Sequence, residues 1–249
     1  MARATNQPPI NTQSPDIEQG TMTSEEIERR MTKSEDTPQL DLQPVQVFQN
    51  QPLYVIPTKL PKNLCDIFNE YFENISPVKG ETMGGAGDAA RRNTDVRWCE
   101  PSDWVGPFVH QFMDQANESL FQYDITGTYF SEVHHLTYKP GQFYNWHVDA
   151  NESCWLAYQP PQHKKYVMKP TTEWTRKLSF TLQLSDPNEY EGGDVELQLN
   201  PSGENETITL PKERGTFAVF DSRTKHRVNK VTKGTRRTLV GWAIGPKWR

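Results

Sequence analysis

The sequence predicts an α+β fold that is mainly β, with helices first and an antiparallel sandwich or jelly roll packed on them. Three observations carry this. Phe, Tyr and Trp are absent from residues 1–47, and all seven Trp lie beyond residue 97, so the folded part begins near Phe48. Two stretches before Gly127 repeat apolar residues every three or four positions, the period of a helix. From Gly127 on, apolar and β-branched residues come in short runs broken by Gly, Pro and Asn, the pattern of strands.

Residues 1–47 hold eight acidic residues, four basic residues and five prolines among many Gln, Ser and Thr. That composition cannot bury enough apolar surface to offset its chain entropy, and it predicts a disordered acidic tail. Residues 48–127 form a helical support region of the same domain. Leu64, Ile67, Phe68, Tyr71, Phe72 and Ile75 mark its first helix, with Pro61 near the first helical position. Trp104, Phe108, Phe112, Met113, Ala116 and Leu120 mark the second, capped by Ser102 or Asp103. A glycine-rich loop over 83–88 and an edge strand over 93–98 lie between them. Arg91, Arg92 and Asn93 read as a solvated charge cluster, with a place along a substrate groove as the alternative.

Strands follow over 128–138, 143–148, 176–185, 195–199, 215–220, 227–231 and 236–244, which together make residues 128–249 a β domain. In the 176–185 strand, alternation puts Leu178, Phe180, Leu182 and Leu184 on one face and Ser179, Thr181 and Gln183 on the other.

Lys and Arg total 27 and Asp and Glu 32, a net charge of -5, which argues against a dedicated nucleic-acid binder. No run approaches the ~18 apolar residues of a membrane span, and the first residues lack the apolar core of a secretory signal. Cys65, Cys99 and Cys154 are too few and too scattered for a disulfide framework or a zinc site. A reducing cytoplasm is the expected setting.

The chemistry centres on Trp146-His147-Val148-Asp149. In a strand, residues i and i+2 share a face, so His147 and Asp149 can reach one metal ion. A further histidine, His226, lies 79 residues later. Two histidines and one carboxylate with open positions form the facial triad used for non-haem Fe(II). Ten residues on, Arg236 opens a strand in which Arg236, Thr238, Val240 and Trp242 share one face. A guanidinium in such an interior place needs a carboxylate partner, which implies a dicarboxylate guest. His134 and His135 adjoin on one strand and point to opposite faces, with packing or solvent the reading for both and the substrate mouth the alternative.

The blocks Tyr138-Lys-Pro-Gly-Gln-Phe-Tyr144-Asn-Trp-His147-Val-Asp149, Arg176-Lys-Leu-Ser-Phe-Thr-Leu-Gln-Leu-Ser185, Tyr190-Glu-Gly-Gly-Asp194 and Gly215-Thr-Phe-Ala-Val-Phe220 extend through His226-Arg-Val and Gly234-Thr-Arg236. In that order and spacing they resemble the Fe(II)/2-oxoglutarate-dependent oxygenase superfamily, in its prolyl 4-hydroxylase-like branch and especially the PKHD-type hydroxylases. The resemblance covers about half the chain. It implies a double-stranded β-helix, the jelly-roll form of this family, over 128–249. It also implies a dioxygenase that hydroxylates an unactivated C–H bond and releases succinate and CO2, with a prolyl residue of a protein among its substrates.

In the same terms, His147, Asp149 and His226 would be the catalytic iron ligands, Arg236 would bind the distal carboxylate of 2-oxoglutarate, and Tyr138 and Thr238 would flank that cosubstrate. Gln183 stands where some relatives place a tyrosine beside the basic residue. Fe(II), 2-oxoglutarate and ascorbate as reductant are the implied cofactors. The implied partner is a protein or peptide substrate, with a small molecule as the other option and no membrane or nucleic acid. If phage-borne, the protein would work in the host cytoplasm. The 26 residues between Asp149 and Arg176 exceed the link in many relatives and read as either a substrate-facing lid or a surface loop.

Two other classes stand beside this reading. A nucleic-acid demethylase of the same superfamily would usually carry a second arginine six residues after the first, where this chain has Trp242. A non-enzymatic jelly-roll binding module would need no iron.

Overall fold

A computed structural model of the chain describes residues 53–56, 59–80, 91–100, 103–125, 133–150, 154–158, 167–171, 173–198 and 207–248, all within the unit Pro38–Arg249. The expected tail over 1–47, the glycine-rich loop and Ser102 lie outside the described residues, as do the side chains of 151–172.

Both expected helices form. Helix α1 (Lys62–Glu73) buries Leu64, Cys65, Ile67, Phe68 and Phe72. Pro61 sits one step earlier than expected, at the N-cap with extended backbone, a place where a missing N–H does no harm. Helix α2 (Val105–Ala116) has Trp104 at its cap and no capping side chain. The expected cap, Asp103, accepts instead from the Tyr71 hydroxyl and the Glu100 amide. The face of α2 is also rotated from expectation. Val105, Val109, Met113 and Ala116 are buried, while Trp104, Phe108, Phe112 and Leu120 pack partly covered on the same core. The reason is the aromatic stack, in which Trp104 and Phe108 lie 5.2 and 5.7 Å from Phe68 of α1.

The strands are β1 (Leu53–Val55), β2 (Val78–Lys79), β3 (Arg92–Asn93), β4 (Asp95–Trp98), β5 (Val133–Tyr138), β6 (Phe143–His147), β7 (Cys154–Tyr158), β8 (Val167–Thr171), β9 (Trp174–Gln183), β10 (Tyr190–Gly192), β11 (Val195–Gln198), β12 (Thr207–Thr209), β13 (Phe217–Asp221), β14 (Lys225–Val228), β15 (Val231–Gly234) and β16 (Arg236–Pro246). Seven of them form one sheet in the order β1-β13-β9-β16-β5-β4-β2, and five form another in the order β12-β11-β14-β6-β3. The pairs β10–β15 and β7–β8 are separate ribbons. Pairing is antiparallel in the centre of both sheets, as a jelly roll requires.

The layers follow from alternation. Leu178, Phe180 and Leu182 of β9 join the helices in the main core. Between the sheets, Leu53, Ala218 and Phe220 of the larger sheet meet Leu197 of the smaller one. Val96, Leu136 and Tyr138 meet Val228 and Val231 in a second such cluster. A cavity of about 560 Å³ lies between the sheets, lined from both.

Two expected strands divide. The single strand over 93–98 is two: Asn93 pairs with Phe143 in the smaller sheet, whereas Asp95–Trp98 runs between β5 and β2 in the larger and so is not an edge. Thr94, between them, is fully buried and bonds the Thr137 carbonyl. The strand over 227–231 is also two, β14 and β15, and His226 lies inside β14. The segment before Gly127 thus supplies four short strands as well as helices. No helix among the described residues is long and apolar enough to cross a membrane.

Candidate metal centre

Strands β6 and β14 are neighbours, and their register places His147 opposite His226, so residues far apart in the chain become adjacent. Asp149 follows β6 by two residues. The donor atoms of His147, Asp149 and His226 all lie within 4.8 Å of one another, and all three residues are buried. Asp149 Oδ1 is 3.6 Å from His147 Nε2, and Oδ2 is 3.4 Å from His226 Nε2.

Each imidazole is held from behind. His147 Nδ1 is 2.7 Å from the Asn145 carbonyl and His226 Nδ1 is 2.9 Å from the Thr224 carbonyl. A carbonyl only accepts, so Nδ1 carries the proton and donates. In the neutral ring, Nε2 then keeps a lone pair turned to the centre, the state a metal ligand needs. The Asp149 carboxylate accepts from Ser179 Oγ at 2.8 Å.

The electrostatics agree. Burial works to raise Asp149, but His226 and His147 outweigh it and hold the carboxyl well below its usual range. Burial pushes His147 down to about 3, assisted by His226. Burial also opposes charge on His226, yet the Asp149 carboxylate overrides it and raises that group. The pocket therefore keeps a carboxylate that favours a cation beside it. Two nitrogen donors and one oxygen donor on converging elements suit Fe(II) with positions left open.

Tyr144 is a site residue that the sequence reading passed over. Its ring stacks on His147 at 3.5 Å. Residues three apart in a strand should face opposite ways, but β6 carries a bulge here: His226 and Val228 are two apart, while their partners His147 and Tyr144 are three apart. A bulge re-aims one side chain.

Arg236 stands on the wall of the same cavity. It is 1% exposed, its Nη1 has no partner, and it forms no hydrogen bond or ion pair among the described residues. Its stem crosses Gly193, whose φ is +65° and where a Cβ would lie 3.0 Å from Arg236 Cδ. Such a buried, unpaired cation is destabilising until a carboxylate meets it. Arg237, next in sequence, is partly exposed, as alternation predicts.

Tyr138 faces Arg236 across the β16–β5 pair, with its ring centre 5.5 Å from the guanidinium carbon. Its buried hydroxyl has no partner among the described residues. Thr238 also lines the cavity. Its Oγ1 donates to the Leu182 carbonyl at 2.8 Å, so toward a guest it can only accept. Gln183 is not beside Arg236 in the cavity wall; its amide donates to the Tyr190 hydroxyl at 2.7 Å.

The two adjoining histidines separate as predicted. His135 packs on Phe72 with Nε2 at 3.2 Å from Asn69 Oδ1. His134 lines the cavity between Trp98 and Trp242, with ring centres 4.0 and 5.1 Å away. Arg91, Arg92 and Arg176 also line the cavity; Arg92 is half-buried there, while Arg91 is exposed. Arg176 lies 3.5 Å over the Trp242 ring.

Residues 133–244 match the 2OG-Fe(II) oxygenase superfamily. Among curated proteins, the chain is 24% identical over 193 residues to a PKHD-type hydroxylase of Gloeothece citriformis, covering 76% of this chain and 77% of that one. It is 51% identical over 65 residues to a PKHD-type hydroxylase of Prochlorococcus marinus, covering 26% of this chain and 28% of that one. The chain thus spans little more than a quarter of the length of that relative.

Among solved structures, a Pseudomonas putida prolyl-4-hydroxylase aligns with a TM-score of 0.53 at 19% identity, covering 79% of this chain and 94% of that one. A Trichoplax adhaerens prolyl hydroxylase, solved with a peptide fragment of the hypoxia inducible factor oxygen degradation domain, aligns with a TM-score of 0.55 at 17% identity, covering 78% and 83%. These likenesses show the fold, a double-stranded β-helix.

Proposed function

We propose, from the premise that this chain belongs through residues 133–244 to the 2OG-Fe(II) oxygenase superfamily, that it is an Fe(II)- and 2-oxoglutarate-dependent dioxygenase hydroxylating an unactivated C–H bond. A prolyl residue of a protein or peptide is the substrate that its relatives favour. The observation that carries the reading is Arg236, a buried guanidinium with no anionic partner among the described residues, on the wall of the cavity that also holds the His147, Asp149 and His226 cluster.

His147, Asp149 and His226 would hold Fe(II), which when bound supplies the coupling of O2 reduction and 2-oxoglutarate decarboxylation to C–H hydroxylation, chemistry no side chain offers. The residues supply position and charge. Arg236 offers a planar fork that pairs with the distal carboxylate of 2-oxoglutarate. Tyr138 adds a hydroxyl with an unused proton. Burial raises the Tyr138 hydroxyl, so it stays a donor at neutral pH. Trp98, His134 and Trp242 also line the cavity, and aromatic walls of this kind suit an apolar ring on a peptide substrate.

The test is succinate formation from 2-oxoglutarate with Fe(II) and ascorbate, followed by mass spectrometry of proline-containing peptides for one added oxygen, about +16 Da. The expected result is iron-dependent succinate that the His147→Ala variant does not form, and the added oxygen on proline. Loss of a methyl group from methylated nucleic acid with release of formaldehyde, and no oxygen added to the peptides, would assign the chain to demethylation. No turnover and no iron uptake would leave a binding module.

A further inference from the structure

The Asp149 carboxylate is gripped by a chain of hydroxyls. Ser179 Oγ, on β9 of the larger sheet, lies 2.8 Å from Asp149 Oδ2, and Ser222 Oγ lies 2.9 Å from Ser179 Oγ. An ionised carboxylate only accepts, so the one proton of Ser179 is directed to Asp149. Ser179 must then accept from Ser222, giving the order Ser222 to Ser179 to Asp149, in which each bond polarises the next. Both serines are fully buried.

Ser222 belongs to the turn 221–224 between β13 and β14. That turn holds the centre at other points too. The Ser222 carbonyl accepts from the amides of Asp149 and Ala150, both at 2.9 Å, and the Thr224 carbonyl holds His226 Nδ1.

The turn is braced from outside. Asp221, buried, accepts from the Tyr123 hydroxyl at 2.6 Å and from the Arg223 amide and Nε at 2.8 and 3.0 Å. The Ser222 amide donates to the Lys177 carbonyl at 3.0 Å. Arg223 and Lys177 both lie over the Trp248 ring, at 4.0 and 3.5 Å, and Tyr123 meets that ring edge-on at 4.7 Å. A continuous contact path thus runs from the outer indole to two of the three candidate ligands.

We infer that Ser179 and Ser222 are positioning residues that fix the plane of the Asp149 carboxylate, and that the Trp248 stack, acting through the 221–224 turn, sets the placement of Asp149 and His226. The inference rests on reading His147, Asp149 and His226 as metal ligands. Asp149 lies beyond the end of β6, with no ladder of its own. Without the hydroxyl pair its carboxylate must be ordered by the metal itself, at an entropic cost to affinity.

The test is Mn(II) binding to the full chain, read from the EPR signal of free Mn(II), with the visible spectrum of the Co(II) form as the readout of ligand geometry. Ser179→Ala is expected to weaken Mn(II) binding by about 10–100-fold and alter the Co(II) spectrum, a larger loss than the fall in the metal-free melting temperature from the lost buried hydrogen bonds accounts for. Ser222→Ala and Trp248→Leu are expected to weaken binding by smaller factors.

Wild-type Mn(II) affinity and an unchanged Co(II) spectrum in Ser179→Ala would overturn the inference. So would affinity losses that merely follow the melting temperatures of the three variants. The control is His226→Ala: if it binds Mn(II) as wild type does, the metal centre itself is wrong, and the positioning role falls with it.

Discussion

Arg236 and Arg223 lie at two ends of the molecule's chemistry and have opposite surroundings. Arg236 is buried on the cavity wall with no anion beside it among the described residues. Arg223 has a side chain 53% exposed, yet it is saturated: Asp221 takes its amide and guanidinium, and Trp248 takes its face. Arg223 is an arginine tied into structure, whereas Arg236 is a buried charge without an anion among the described residues, as the proposed 2-oxoglutarate site would need. A charge kept for stability comes with its partner, whereas a buried charge without one is tolerated because something else brings the partner.

Experiments can sharpen or break this contrast, beginning with the proposed metal centre. Asp149→Ala or His226→Ala is expected to abolish 2-oxoglutarate turnover while circular dichroism stays native; activity in either variant would remove the reason for Arg236 to be where it is. Arg236→Met should raise the 2-oxoglutarate requirement by about 100-fold or more, the loss expected for one partner of a buried charge pair. The same change should stabilise the cosubstrate-free fold to urea by about 1–3 kcal/mol, because an unpaired charge leaves the interior. Arg223→Ala should move the other way, destabilising the fold by about 1 kcal/mol, since the buried Asp221 carboxylate loses the guanidinium and keeps only the Tyr123 hydroxyl and the amide of residue 223, while the arginine itself is half in water.

A smaller effect concerns pH. Burial pushes His135 down to about 3, against about 6.5 when unfolded. As pH falls below about 6.5, the unfolded chain takes up a proton that the folded chain refuses. Stability is therefore full above that pH and declines from about 6.5 toward 3, by at most ~1.4 kcal/mol per pH unit for this one group. His135→Gln keeps a polar contact near Asn69 and should flatten that decline in melts run from pH 7 to 4. The smallest effect expected is from removing residues 1–47, which should leave succinate formation unchanged.

Much of the centre was legible because it obeys strand parity. Arg236 with Thr238, Val240 and Trp242 needed only a period of two; Asp149 joins His147 although it lies past the end of β6, where its amide is held by the Ser222 carbonyl, and the cavity wall carries all six. Tyr144 was not legible, because a bulge inside β6 breaks that period and nothing local in Phe143-Tyr-Asn-Trp-His147 announces it. Ser179 was placed on the correct face of β9, but its partner Ser222 lies in a turn, where no periodicity exists to point at it. The division of 93–98 was hidden for another reason: alternation gives the face of a residue within a sheet and is silent about which of two sheets the strand joins. The rotated face of α2 reflects tertiary aromatic stacking, which a helical wheel does not contain.

Strand β9 is a shared wall, with Leu178 and Leu182 on the helix side and Ser179 and Thr181 on the cavity side. Adding or deleting one residue within it would exchange the two sets, sending leucines toward the His147, Asp149 and His226 cluster and hydroxyls into the oily interior. Length is therefore forbidden as a variable along this wall. In the ribbon just upstream, β7 and β8 pair with each other and with no other strand among the described residues, so no neighbouring strand fixes their register. A lineage altering what this cavity accepts would find insertions tolerated between Asp149 and Trp174 and refused a few residues later.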